Sequence, residues 1–282
     1  RIWGGYPDAR IADPCPGAHG AVYTSVAKIV AAGADYHRAY LSLQEFFEKL
    51  RSEPARWGKP FSALLGALDA QLELGAAAIG GKDSMSGTFL DHDVPPTLIS
   101  FAIAPVLAGE IVTTDFKAAG HGVYLFDGAT PEEQKAAWER FTALARAGKV
   151  ASAWAVENGL AEAVMKMSLG NEIGFAAEKT ARDWFAPMPG AIGADPGILE
   201  KDTNLQTALA LRDVLSAGGA EVMLTRDSDQ TVSLIDRLQA SRAAAPDVFL
   251  SLHSNSAADG LDIGAMSGKD IFIKSGLARP LA

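Results

Sequence analysis

Gly80-Gly81-Lys82-Asp83-Ser84-Met85-Ser86-Gly87-Thr88-Phe89 is followed by Leu90-Asp91-His92-Asp93-Val94-Pro95-Pro96 and then by the apolar run Thr97-Leu98-Ile99-Ser100-Phe101-Ala102-Ile103-Ala104. Small residues stand between an apolar lead-in, Ala76 to Ile79, and a β-branched and aromatic run, which predicts a loop held between two buried strands. Such a loop presents backbone amides to an anion. Gly80 and Gly81 permit close approach of the backbone, and Lys82 offers a positive point charge. Asp83 can hold a divalent cation, and Ser84 and Ser86 can donate to phosphate oxygens. Taken alone, a loop rich in glycine, lysine and serine is more often a plain turn with solvated polar tips.

The rest of the chain bounds the possibilities. Its 282 residues, 48% of them apolar, suffice for one large domain or two smaller ones. The formal charge of −9 and the lack of Lys and Arg clusters argue against a nucleic-acid surface or an anionic membrane as partner. A single cysteine, Cys15, excludes an internal disulfide framework and fits a reducing compartment. No secretory leader and no apolar run of bilayer length is visible, although the chain starts at Arg1 rather than methionine.

In order, residues 2–20 read as a loop rich in glycine and proline, and Val22, Val26, Ile29 and Val30 predict a helix from Ala21 to Ala32 that stops at Gly33. His19 reads as a surface or capping histidine, because no second ligand lies at metal spacing in the sequence. Leu41 to Leu50 reads as a short amphipathic helix with Phe46, Phe47 and Leu50 inward. Pro54 to Pro60 reads as a connection, followed by a helix from Phe61 to Leu74 ending at Gly75. Strands are expected near Ile111-Val112, His121 to Phe126, Ala151 to Val156 and Ile173 to Ala177. Thr130, Pro131 and Glu133 form a capping box for a helix reaching about Ala147, and another helix precedes Leu169.

The stretch Gly80 to Phe89, with Val94-Pro95-Pro96-Thr97-Leu98, resembles the synthetase half of phosphoribosylformylglycinamidine synthase. The likeness extends upstream through Gln44 to Leu50 and through Trp57-Gly58-Lys59-Pro60-Phe61. The resemblance implies an ATP-dependent step of purine biosynthesis: ATP phosphorylates the amide oxygen of formylglycinamide ribonucleotide, and ammonia displaces the phosphate. It further implies that Gly80, Gly81, Lys82, Asp83, Ser84 and Ser86 face a crevice for ATP and Mg²⁺ or a phosphoribosyl molecule, in a cytoplasmic protein. No catalytic residue is assigned. Cys15 is not a glutaminase nucleophile, since Asp13-Pro14-Cys15-Pro16 lacks the glycine-flanked turn that role requires. Where the family carries an acidic residue before glycine, this chain has Asn158, a poorer cation ligand, and no metal is assigned there.

Beyond Pro187-Met188-Pro189-Gly190-Ala191-Ile192 that likeness stops. Leu199-Glu200-Lys201-Asp202-Thr203-Asn204-Leu205, Ala220 to Asp227, a helix from Leu234 to Ala244, and Asp247 to Asn255 together resemble the zinc-dependent N-acetylmuramoyl-L-alanine amidases, which cut peptide from the sugar lactyl group of peptidoglycan. The resemblance implies Glu200 and His253 as zinc ligands. Two departures stand out. The family's earlier histidine has no counterpart, for none precedes Glu200 until His121, and no glutamate follows Glu221, which is expected in a strand. The zinc site is therefore expected to be incomplete, and incubation with zinc and muropeptides to release no free peptide.

These readings predict an α/β protein: an α+β synthetase-like part over residues 1–110, an incomplete second α/β domain over 111–189, and a βαβ-type amidase-like remnant over 190–282. Pro-Gly-Ala-Ile occurs in both family patterns, so residues 189–193 are the expected join of an accidental fusion or an assembly artefact. Unpaired sheet edges and uncovered apolar helix faces are expected to lower solubility.

Overall fold

The computed structural model describes residues 2–4, 13–176, 183–197, 200–253 and 270–275. Helices and strands are mixed throughout, giving the expected α/β class. The chain divides into two compact units, one formed by residues 1–117, 124–174 and 181–196, the other by 118–123, 175–180 and 197–282.

The first unit is organised around helix α1 (Pro14–Ala31). It begins seven residues before the expected start, because Asp13 accepts a hydrogen bond from the Cys15 amide and Pro14 occupies the first turn, where its missing N–H costs nothing. Small and β-branched side chains cover nearly its whole circumference, so the helix is buried on all sides rather than on one stripe. Beneath it lies a four-stranded sheet in the order β1 (Ile2–Gly4), β6 (Thr97–Ile103), β2 (Tyr40–Phe46), β3 (Ala77–Ser84). Strand β6 is antiparallel to both neighbours, and β2 runs parallel to β3. Alternate β6 residues Leu98, Ser100 and Ala102 are buried, and Ser100 shares a hydrogen bond of 2.8 Å with Ser25 of α1. A hairpin of β4 (Thr88–Phe89) and β5 (His92–Asp93) links β3 to β6.

Helix α2 (Pro54–Leu74) packs along α1 through Ala63, Gly66, Ala67 and Ala70. A Cβ at Gly66 would lie 2.0 Å from the Cys15 carbonyl oxygen, so only glycine permits this approach. The helix runs unbroken through Pro60, where the sequence reads as a connection. Pro60 is buried in the helix interface, and packing overrides its local cost. The opposite face carries Trp57, Phe61, Leu64, Leu68 and Leu72, all exposed.

The second layer of this unit is a three-stranded sheet in the order β7 (Tyr124–Phe126), β9 (Ile192–Asp195), β8 (Ser152–Ala155), with β9 antiparallel to both. Every residue of β9 is buried, and Ile192 and Ala194 join the core that contains α1. The stretch read as a join thus supplies the middle strand of this sheet. Helix α3 (Pro131–Arg146) starts as expected, with Thr130 accepting from the Glu133 amide and Glu133 accepting from the Ala129 amide. Its Trp138 and Phe141 are fully buried. Helix α4 (Leu160–Leu169) follows β8.

Further expectations need correction: Ile111 and Val112 lie in no strand, and of residues 121–126 only Tyr124–Phe126 form one. Residues 41–46 form strand β2, not a helix: a short apolar run fits either period, and two flanking strands decide it. The stretch 77–84, expected as a loop between buried strands, is itself β3, an edge strand exposed along nearly its whole length. Of the strand expected from Ile173 to Ala177, residues 173–176 take no strand conformation and Ala177 lies outside the described residues; β9 occupies the centre of the sheet.

The second unit holds helix α5 (Glu200–Ala217), helix α6 (Leu234–Ala244) and an antiparallel pair, β10 (Val248–His253) with β11 (Asp270–Ser275). Ser233 caps α6, accepting from the Asp236 amide. Residues 221–224 are not a strand, which corrects the placement of Glu221: a lone segment has no ladder to join. Among the described residues of this unit from 201 to 250, no side chain is buried; Val214, Leu234, Ile235 and Leu238 are exposed. Among the described residues, no helix of the chain is long and apolar enough to cross a membrane.

Candidate functional site

Strand geometry divides the residues expected to act together around a phosphate. Register pairs Gln44 with Lys82, Glu45 with Asp83 and Phe46 with Ser84, so Lys82 and Ser84 share one face of the sheet and Asp83 stands on the other beside Glu45. Ile79 is an extra residue against β2, where the register slips between Leu41 and Ser42. A Cβ at Gly81 would sit 2.2 Å from the Leu43 carbonyl oxygen, so this glycine serves strand packing, whereas a Cβ at Gly80 would meet nothing. The Ser84 and Ser86 hydroxyls lie 3.2 Å apart as the strand turns toward Gly87.

Beneath this edge are two buried carboxylates. Glu48 is paired with Lys59 at 2.5 Å. Glu45 has a buried oxygen without a hydrogen-bond partner, and burial, then the nearby Asp83 charge, pushes its carboxyl up to about 7. Lys82 and Asp83 are exposed.

At the turn after β8, Gly159 has φ of +97° and a Cβ there would meet the Trp184 carbonyl oxygen. The Asn158 amide donates to Glu162, and Glu157 pairs with Lys28 of α1 at 2.5 Å.

A different cluster escaped the sequence. His19 and Tyr23, one turn apart on α1, face Asp69 and Glu73, one turn apart on α2. His19 Nε2 lies 2.8 Å from Glu73 Oε2, and the Tyr23 hydroxyl donates to that same oxygen at 2.7 Å. The His19 and Tyr23 rings stack with centroids 4.7 Å apart. Ligand atoms of His19, Asp69 and Glu73 all lie within 4.8 Å of one another. Burial raises the Glu73 carboxyl, but hydrogen bonds from Tyr23 and His19 outweigh it and hold the group below its usual range. Burial, then Glu73, pushes the Tyr23 hydroxyl well above its usual range. The carboxylates are 50 and 54 residues from His19; their i, i+4 spacing on one helix was the available signal.

In the second unit, Glu200 is the first residue of α5 and His253 the last of β10, and α5 packs against β10. Their side chains lie outside the described residues.

Residues 186–278 match the family model for N-acetylmuramoyl-L-alanine amidase. Two curated relatives agree. The N-acetylmuramoyl-L-alanine amidase CwlM of Bacillus licheniformis is 39% identical over 99 residues, covering 33% of this chain and 36% of that protein. The sporulation-specific N-acetylmuramoyl-L-alanine amidase of Bacillus subtilis (strain 168) is 47% identical over 75 residues, covering 24% of this chain and 29% of that protein. The chain thus spans about a third of the length of these relatives. Among solved structures, PurL of T. maritima complexed with ATP is similar in fold, with a TM-score of 0.52 and 15% identity over 69% of this chain and 34% of that one. Phosphoribosylformylglycinamidine synthase II from Thermotoga maritima aligns with a TM-score of 0.50 and 15% identity over 69% of this chain and 35% of that one. At that identity the likeness concerns fold alone.

Proposed function

We propose that residues 186–278 are the zinc- and muropeptide-engaging part of an N-acetylmuramoyl-L-alanine amidase. The similarity of this segment to amidases at 39% and 47% identity carries the reading. Glu200 and His253 are its metal ligands, a carboxylate and an imidazole of the kinds zinc takes, on two elements that pack together. Zinc in such a site polarises the amide carbonyl and activates water. Two protein ligands fall short of the three that catalytic zinc normally has, so this chain engages substrate without turning it over. The test is zinc-dependent retention on purified peptidoglycan. Wild type is expected to be retained and Glu200→Gln and His253→Gln to be released; equal retention of all three refutes the assignment, and measurable release of free peptide refutes the two-ligand account.

A second reading covers residues 1–110 and 111–189 as parts of a synthetase of the phosphoribosylformylglycinamidine synthase type, supported by the fold likeness over 69% of the chain. Lys82, Ser84 and Ser86, with Gly80 and Gly81 behind them, would hold the phosphates of a nucleotide or phosphoribosyl molecule, and Asp83 a Mg²⁺ ion, in a cytoplasmic setting. Titration with a labelled ATP analogue and Mg²⁺ is expected to show weak binding that Lys82→Ala removes; no binding by wild type rejects the nucleotide. The two readings together imply a chimera of synthetase-like and amidase-like segments with the join at residues 189–193. One uninterrupted template sequenced across that point tests it.

A further inference from the structure

We propose that His19, Asp69 and Glu73 form a zinc site between α1 and α2, independent of Glu200 and His253. The donor set is one imidazole nitrogen and two carboxylates, ligand types that zinc takes, and it leaves a fourth position for water. Tetrahedral ligands about 2.0 Å from a zinc ion stand about 3.3 Å apart. The His19 Nε2 to Glu73 Oε2 separation of 2.8 Å is close to that, and no pair of ligand atoms in the cluster exceeds 4.8 Å. Small rotamer adjustments therefore suffice, and zinc would replace the His19–Glu73 hydrogen bond, bound to an unprotonated Nε2 with any proton it carried moving to Nδ1 or released to solvent.

The surroundings favour an ion. Tyr23 fixes Glu73 by donating to Oε2, as outer hydrogen bonds do for carboxylate ligands, and its ring holds the His19 ring by stacking. Asp69 and Glu132 also act on Tyr23 as negative charges; Lys135 donates to the Glu73 backbone carbonyl at 3.0 Å, lies 3.8 Å from Glu132, and partly offsets the negative charge of Glu73. Asp69 is exposed, and the His19 and Glu73 side chains keep 32% and 26% of their accessible surface, so the ion has a path from solvent. Mg²⁺, which demands six oxygen-rich positions, suits this imidazole-bearing trio poorly.

The experiment uses the full chain carrying Glu200→Gln and His253→Gln, so that the amidase-like pair does not contribute. Zinc titration by calorimetry, and Co²⁺ titration followed by visible absorption, are expected to show one equivalent bound, unaffected by millimolar Mg²⁺. Adding Asp69→Asn, at an exposed position that leaves the helix interface untouched, should weaken zinc at least tenfold, as should His19→Gln, with unchanged circular dichroism. Absence of zinc binding in the doubly substituted chain overturns the proposal. So does an affinity unchanged by Asp69→Asn, or equal competition by Mg²⁺.

Discussion

Glu45 gives the sharpest test of the first unit's electrostatics. The residue is 5% exposed and sits beside Asp83 across the parallel β2–β3 pairing, and burial, then the Asp83 charge, pushes its carboxyl up from the ordinary 4.5 to about 7. Below pH 4.5 the group is protonated in both folded and unfolded states and costs nothing. Between 4.5 and 7 the unfolded chain ionises first, so stability falls as pH rises; above 7 the loss is complete. That interval corresponds to about 3 kcal/mol of folding stability lost between acid and pH 8 on this group's account. Glu45→Gln removes the titration. In urea unfolding followed by tryptophan fluorescence, the variant should match wild type near pH 4.5 and exceed it by roughly 2–3 kcal/mol at pH 8. Asp83→Asn, which removes only the second cause, should give a smaller gain in the same direction. If Glu45→Gln and wild type keep a constant difference from pH 5 to 8, Glu45 is not the buried titrating group described.

Gly66→Ala places a methyl group 2.0 Å from the Cys15 carbonyl oxygen, forces α1 and α2 apart, and should cost about 1–3 kcal/mol in denaturant unfolding. Thr130→Ala removes the hydroxyl that accepts from the Glu133 amide 3.2 Å away and should cost about 1 kcal/mol, whereas Thr130→Ser should cost little. Trp138→Phe deletes a 2.8 Å hydrogen bond to the Gly190 carbonyl, but Gln134 still donates to that oxygen at 2.9 Å; the loss should stay near 1–2 kcal/mol and roughly double when Gln134→Ala is added.

What could be read from the chain alone follows from how local each signal is. The start of α3 was legible because Thr130, Pro131 and Glu133 lie within four residues, and the span of α6 because residues 234–244 fall within the stretch that resembles the amidases. Strand β6 was equally visible as an apolar run rich in β-branched and aromatic residues from Thr97 to Ala104. Strand β2 was not, since Leu41, Phe46 and Phe47 suit a helical face as well as a pleated one until β3 and β6 settle the matter. Pro60 marked a break that burial overrides. The glycine-rich stretch misled in a different way: Gly81 is required by the Leu43 carbonyl beside it, a neighbour that only pairing with β2 reveals. Likewise His19 seemed alone because its partners lie on another helix, 50 and 54 residues along.

The placement of β9 between β7 and β8 governs the order in which the protein can assemble as it is made. Both outer strands emerge from the ribosome first, yet apart from a single bridge between Thr113 and Ser152 their ladder partner is β9. Nascent chains ending short of Ile192 therefore carry two strands waiting for a neighbour, and Trp138 and Gln134 reach for a Gly190 carbonyl that has only just been synthesised. Closure of this layer is a late, long-range event, so chaperone dependence during translation should ease sharply once Asp195 has cleared the exit tunnel.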